Sequence, residues 1–171
     1  MKKAAQGFTL VELLIVIAII AILAAVVAVI VNPVEITRRG RDATRLSDLG
    51  NLSQAINVAL QSGKSVCVSG DPNPCTGNSF AGTRVNTGLG WVRTDLSGSD
   101  VSVPVLPIDP LNTSAATAYS YAGSNPATNN PNTYELDAVL ESATYAPKMT
   151  NDGGADNAHY EVGTSLTLIL P

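Results

Sequence analysis

From Leu13 to Val31 the chain runs for 19 consecutive residues without a charged or polar side chain. As a helix rising 1.5 Å per residue, such a run covers about 28 Å, close to the hydrocarbon thickness of a bilayer. Apolar residues are concentrated there. Of the first 31 residues, 25 belong to the AVILMFWYC set, against 41 of 107 in residues 65–171. That imbalance excludes a soluble globule with one evenly distributed core. A single segment is apolar and long enough to span, which excludes a polytopic membrane protein. The ordinary alternative is a cleaved secretory signal. The run is longer than a typical signal core, however, and no small-residue cleavage site with a polar flank follows it.

Residues 1–7, Met-Lys-Lys-Ala-Ala-Gln-Gly, form a short basic leader. Glu12 stands immediately before the uncharged run. An unpaired carboxylate at bilayer depth is costly, so an acid there is a functional candidate. The alternative is that Glu12 lies at the headgroup level at small cost. The residues alone leave both readings open.

Gly7-Phe8-Thr9-Leu10-Val11-Glu12, followed by Leu-Leu-Ile-Val-Ile-Ala-Ile-Ile, resembles the N-terminus of type IV pilins and of type II secretion pseudopilins. The resemblance implies that a prepilin peptidase cuts between Gly7 and Phe8, and that the new Phe8 amine is methylated. Glycine before the cut gives the protease an unhindered backbone. Residues 8–31 are then a transmembrane helix in the precursor and the filament core after assembly. The resemblance also gives Glu12 a partner, the Phe8 amine of a neighbouring subunit. At ~4 Å and an effective dielectric near 20, such a pair attracts by about 4 kcal/mol before desolvation. The implied function is a structural subunit of a type IV pilus-like filament. A major pseudopilin of a type II secretion system is the alternative. A minor pilin acting as adhesin or DNA-uptake component is a third. The implied partners are copies of the chain, the inner membrane, prepilin peptidase and the assembly machinery. The implied topology has a cytoplasmic N-terminus and an extracytoplasmic head, bound for a surface pilus or a periplasmic pseudopilus.

Pro33 is expected to bend or break the helix near Val29–Asn32. Beyond it, Ile36, Ala43, Leu46, Leu49, Leu52, Ile56 and Leu60 mark one face of an amphipathic helix over residues 32–63, with Gly63 as a left-handed cap. Gly40 and Gly50 weaken this helix, and the resemblance suggests a soft segment between Pro33 and Gly40. Arg38, Arg39, Arg41 and Arg45 are expected either to rest on anionic headgroups or to pair between subunits with Glu35, Asp42 and Asp48. These four cations follow the span, whereas Lys2 and Lys3 precede it, so a positive-inside count opposes the topology that the resemblance implies.

Residues 64–171 read as a globular head of short strands and many turns. Ten Gly and nine Pro lie in residues 65–171. Together the parts predict an α+β fold: a long N-terminal helix packed on a small antiparallel sheet, as in pilins. Strands are expected around Thr117–Tyr121, over Tyr134–Glu141 with one buried face, at Tyr160–Val162 and at Ser165–Leu170. Trp91 is expected in the core. Cys67 and Cys75 close a turn-rich loop, read as a disulfide in preference to two free thiols. Such a bond would constrain the unfolded chain by roughly 2.5 kcal/mol and imply an oxidising compartment.

Residues 65–171 carry three cations and ten anions, a poor match for a phosphate backbone, so no nucleic-acid partner is expected. No triad, thiolate cluster or phosphate loop is visible, so the chain does not read as an enzyme. Asp152, Asp156 and Asn157, around Gly153-Gly154, offer oxygen ligands of the kind calcium takes. Major pseudopilins bind calcium in a C-terminal loop, but the match here is not residue by residue. The alternative is a solvated acidic turn, and no other cofactor is expected.

Overall fold

The computed structural model describes residues 7–98, 103–124 and 132–169. Leader residues 1–6, with Lys2 and Lys3, lie outside the described residues. Two compact units divide the chain, Met1–Thr37 and Arg38–Pro171.

Helix α1 spans Leu10–Val31 and ends at Asn32, which takes the left-handed conformation with φ 41°. Helix α2 spans Pro33–Gln61. The helix breaks at Asn32, where Pro33 was expected to bend or break it, and Pro33 opens the second helix. At a first helical position its missing N–H is no loss, and its fixed φ suits the turn. The Glu35 N–H donates to the Asn32 carbonyl at 3.1 Å, which closes the first turn of α2. Helix α2 is continuous through Gly40 and Gly50. It ends on Gly63, at φ +82°. The Lys64 N–H donates to the Ala59 carbonyl and the Gly63 N–H to that of Leu60, each at 3.0 Å. This is the paired-bond cap that a left-handed glycine permits.

Four strands form one antiparallel sheet in the order β1-β2-β3-β4: Cys75–Asn78, Ser120–Ser124, Thr133–Ala138 and Tyr160–Gly163. With the long helices this gives the α+β arrangement expected of a pilin fold. Three strand expectations change. Strand β1 was not foreseen, because Cys75 read only as the end of a loop. Residues 165–169 form no strand, and Leu170 lies outside the described residues. Strand β3 is buried on both faces, not one: Tyr134, Leu136 and Ala138 on one side, Glu135 and Asp137 on the other. The N–H groups of Leu168 and Ile169, which would have joined a ladder, instead donate to Glu135 Oε2 at 2.6 and 2.8 Å.

The first face of β3 belongs to the apolar core, with Leu49, Leu52, Ile56 and Ala59 of α2, Trp91, Leu96 and Leu106. Trp91 is buried, and its indole N–H donates to the Pro107 carbonyl at 3.0 Å. Cys67 and Cys75 are joined by a disulfide, which ties the middle of the α2–β1 loop to the first residue of β1. Tyr134 reaches α2 through its hydroxyl, which donates to the Ser53 carbonyl at 3.0 Å.

The buried face of α2 is not apolar throughout. Its N-terminal part presents Asp42 and Arg45, both fully buried, while Ala43 is exposed and Leu46 only half-buried. Arg45 donates from Nη1 to Asp42 Oδ1 at 2.8 Å. From Nε and Nη2 it grips both oxygens of Asp109, at 2.6 and 3.0 Å. Its Nη1 also lies 2.5 Å from Glu141 Oε1. Arg41 holds Glu141 from the other side, with Nε 2.9 Å from Oε1. Asp42 accepts the Ser142 N–H at 2.7 Å, and Asp109 accepts that of Leu111 at 2.8 Å. Neither expectation for these two arginines survives. They rest on carboxylates of their own chain, and Asp48 accepts the Tyr119 hydroxyl at 2.9 Å.

Truncating Arg45 would strand two buried carboxylates. Arg45→Ala is expected to cost about 3–5 kcal/mol, read by denaturant unfolding of the detergent-solubilised chain. The same cluster sets an acid limit. Hydrogen bonds from Arg41 and, against some burial, from Arg45 hold Glu141 down at about 2, below its usual 4.5. A depressed carboxylate stabilises the fold above its unfolded pKa and loses that effect as pH falls through its folded one. Thermal midpoints should therefore drop between about pH 4.5 and 2, and the Glu141→Gln variant should show a shallower drop.

Candidate functional site

Thr9 and Glu12 build the start of α1 between them. Thr9 is extended and caps the helix, its Oγ1 accepting the Glu12 N–H at 3.2 Å. Glu12 reaches back, and its Oε2 accepts the Thr9 N–H at 2.9 Å and the Thr9 hydroxyl at 2.7 Å. This is a reciprocal capping box. It satisfies otherwise orphaned helix donors and sets a carboxylate on the positive end of the helix dipole. The sequence carries the signature Thr-x-x-Glu ahead of an apolar run. That signal was legible, although Glu12 drew attention only as a charge.

Just before the cap, Gly7 and Phe8 are exposed, and a Cβ built on Gly7 would meet nothing within 4 Å. From Leu10 to Val27 every residue is exposed, on all sides of the helix, and the stretch is long and apolar enough to cross a membrane. Pro33, the expected kink, is the first residue of α2.

The C-terminal loop holds the candidate calcium residues. Asp152 accepts the Gly154 N–H at 3.0 Å and the Glu161 N–H at 2.9 Å. Asp156 accepts the Ala158 N–H at 2.8 Å, and its Oδ2 lies 2.5 Å from His159 Nδ1. Both carboxylates are thus engaged in fastening the turn, and Asn157 is exposed. Beside the loop a different acidic group emerges. Glu135, Asp137 and Glu161 each offer a carboxylate oxygen, all within 4.8 Å of one another and all buried. Burial, then the neighbouring charges of Glu135 and Glu161, push Asp137 up to about 8. Burial, then Glu161, push Glu135 up to about 7. Sequence reading missed this trio because β3 was expected to turn its acidic face to water.

A family model, Prokaryotic N-terminal methylation motif, matches residues 2–28. This motif supports a type IV pilin-like or pseudopilin-type prepilin. The match ends before α2, so it does not separate a pilin from a pseudopilin. No curated protein and no solved structure matches the chain. The motif supports processing by prepilin peptidase, and the apolar helix and motif accord with a membrane-anchored precursor.

The fold leaves room for a side chain at Gly7, so it places no demand for glycine there, and the expected peptidase is left as the source of any such demand. Gly7→Val is expected to leave the melting midpoint unchanged and to block removal of the leader. Intact-mass measurement of the chain from cells with the peptidase checks this.

Proposed function

We propose that the chain is the structural subunit of a type IV pilus-like filament, trimmed between Gly7 and Phe8 and polymerised through α1. The observation that carries this reading is α1 itself. A helix apolar on every side and exposed along Leu10–Val27 needs an apolar surround. Lipid supplies one for a stored precursor, and copies of α1 supply one in a filament. The pilin-type N-terminus favours the sequence from one to the other.

Glu12 is the residue on which assembly depends in this reading. Cleavage creates a cationic amine at Phe8. A neighbouring subunit's amine competes for Glu12 Oε2 with the neutral donors of Thr9, and its full positive charge adds a coulombic attraction that those donors lack. A subunit in the wrong register leaves the carboxylate buried and unpaired, which penalises misplacement. The head faces away from the cytoplasm, and its disulfide accords with an oxidising compartment.

A second reading, the major subunit of a short periplasmic pseudopilus, draws on the acidic turn at Asp152 and Asp156 as a calcium loop. Electron microscopy of cells producing the chain separates the two, long surface fibres against short or absent ones.

Paired substitutions test the role of Glu12. Thr9→Ala removes the cap and costs about 1 kcal/mol of helix stability, but leaves the carboxylate, so filaments should still form. Glu12→Ala should give a membrane-inserted, cleaved subunit with filament yield reduced at least tenfold in sheared-fibre preparations. Wild-type yield from Glu12→Ala would overturn the charge-pair role.

A further inference from the structure

Strands β3 and β4 pair with Asp137 opposite Glu161 and Glu135 opposite Gly163. Side chains two apart share a face of a strand, so Glu135, Asp137 and Glu161 converge on one side of the sheet. Their exposures are 0%, 2% and 2%. Among the described residues, no ion pair reaches any of them. Two of their oxygens, Glu135 Oε1 and Asp137 Oδ1, are buried with no hydrogen-bond partner. Orphaned oxygens on buried acids are expensive, and three carboxylates together compound the cost.

We propose that Glu135, Asp137 and Glu161 form a binding site for a hard divalent cation, Ca²⁺ or Mg²⁺, between β3 and β4. The donor set is all oxygen and all carboxylate, which selects such ions over softer metals. The three oxygens lie within 4.8 Å of one another, and a small inward shift would let a calcium ion reach each at about 2.4 Å. Magnesium, at about 2.1 Å, requires the trio to draw closer.

The surroundings orient the ligands. Glu135 Oε2 is fixed by the Leu168 and Ile169 N–H groups, which leaves Oε1 for the ion. Glu161 Oε1 and Oε2 accept the Ala155 and Asp156 N–H groups at 3.2 and 3.0 Å. Backbone donors of this kind set ligand direction in metal sites. Gly154 belongs to the same arrangement, because a Cβ there would lie 1.7 Å from Glu161 Oε2. An open cleft of about 560 Å³, lined by Asp152, Glu161 and Gly163, lies beside the site at Glu161.

The site is distinct from the turn carboxylates of Asp152 and Asp156 and does not depend on filament assembly. The test uses the full chain in detergent, stripped with EDTA and returned to metal-free buffer. Thermal unfolding, followed by Trp91 fluorescence, is compared in CaCl₂, MgCl₂ and chelator. A midpoint raised by about 5 °C or more in saturating CaCl₂ or MgCl₂ is expected, and the larger shift names the ion. Asp137→Asn should abolish the shift while melting no lower than wild type in chelator, since it relieves like-charge crowding. Asp156→Asn should keep the shift. If Asp137→Asn does not fold, tyrosine-sensitised terbium luminescence of the wild type, displaced by CaCl₂ or MgCl₂, provides the second readout. No shift with either ion, no terbium signal, or a shift lost in Asp156→Asn but kept in Asp137→Asn would overturn the proposal.

Discussion

The buried guanidinium of Arg45 is the constraint around which the head is organised. It meets Asp42 on its own helix, Asp109 in the loop after Leu106, and Glu141 beyond β3. These are three separate stretches of chain, and an arginine fork has the donors to hold them in fixed directions. The apolar contacts of Leu49, Leu52 and Ile56 are less particular, since hydrophobic attraction has no direction. They bring the sheet to the helix, and the ion cluster fixes where along the helix it stops. Burying such a cluster is of doubtful net benefit to stability, but an error of one turn would leave a carboxylate or the guanidinium unpaired. The cluster is therefore best understood as a register device.

The same cluster bears on topology. Arg41 and Arg45 belong to the group of cations that a positive-inside count sets against an extracytoplasmic head. Each has a carboxylate partner in the folded head. That gives a physical reason for cations to be retained beyond the span, where the loop rule disfavours them.

The parts of the fold legible in the sequence are those governed by short-range pattern. The uncharged run gave the first helix, Leu49, Leu52 and Ile56 gave the buried stripe of the second, and Gly63 gave its cap. Sequence reading failed where long-range contacts decide. Asp42 and Arg45 sit at buried helical positions, but nothing local says that Asp109 and Glu141 will arrive to neutralise them. Glu135 and Asp137 alternate with apolar residues as solvent-facing positions do, yet both are buried, and the C-terminal segment donates two N–H groups to Glu135. Strand β1 is only four residues with a glycine, too short for a period of two to stand out. At the N-terminus the motif was fully legible, being contiguous, while the Thr9–Glu12 capping box needed a different question put to the same residues.

That capping box gives the stored subunit a property of its own. With Glu12 Oε2 accepting from both the backbone and the hydroxyl of Thr9, the carboxylate is solvated by its own helix end. On the proposed reading, a subunit waiting in a bilayer thus has part of this acid's demand met by its own chain, at Oε2. In the proposed filament, the exchange of partners would be a substitution at an occupied position, not the filling of an empty one. On the proposed reading the capped monomer is a resting state whose two Thr9 bonds must be given up before subunits associate.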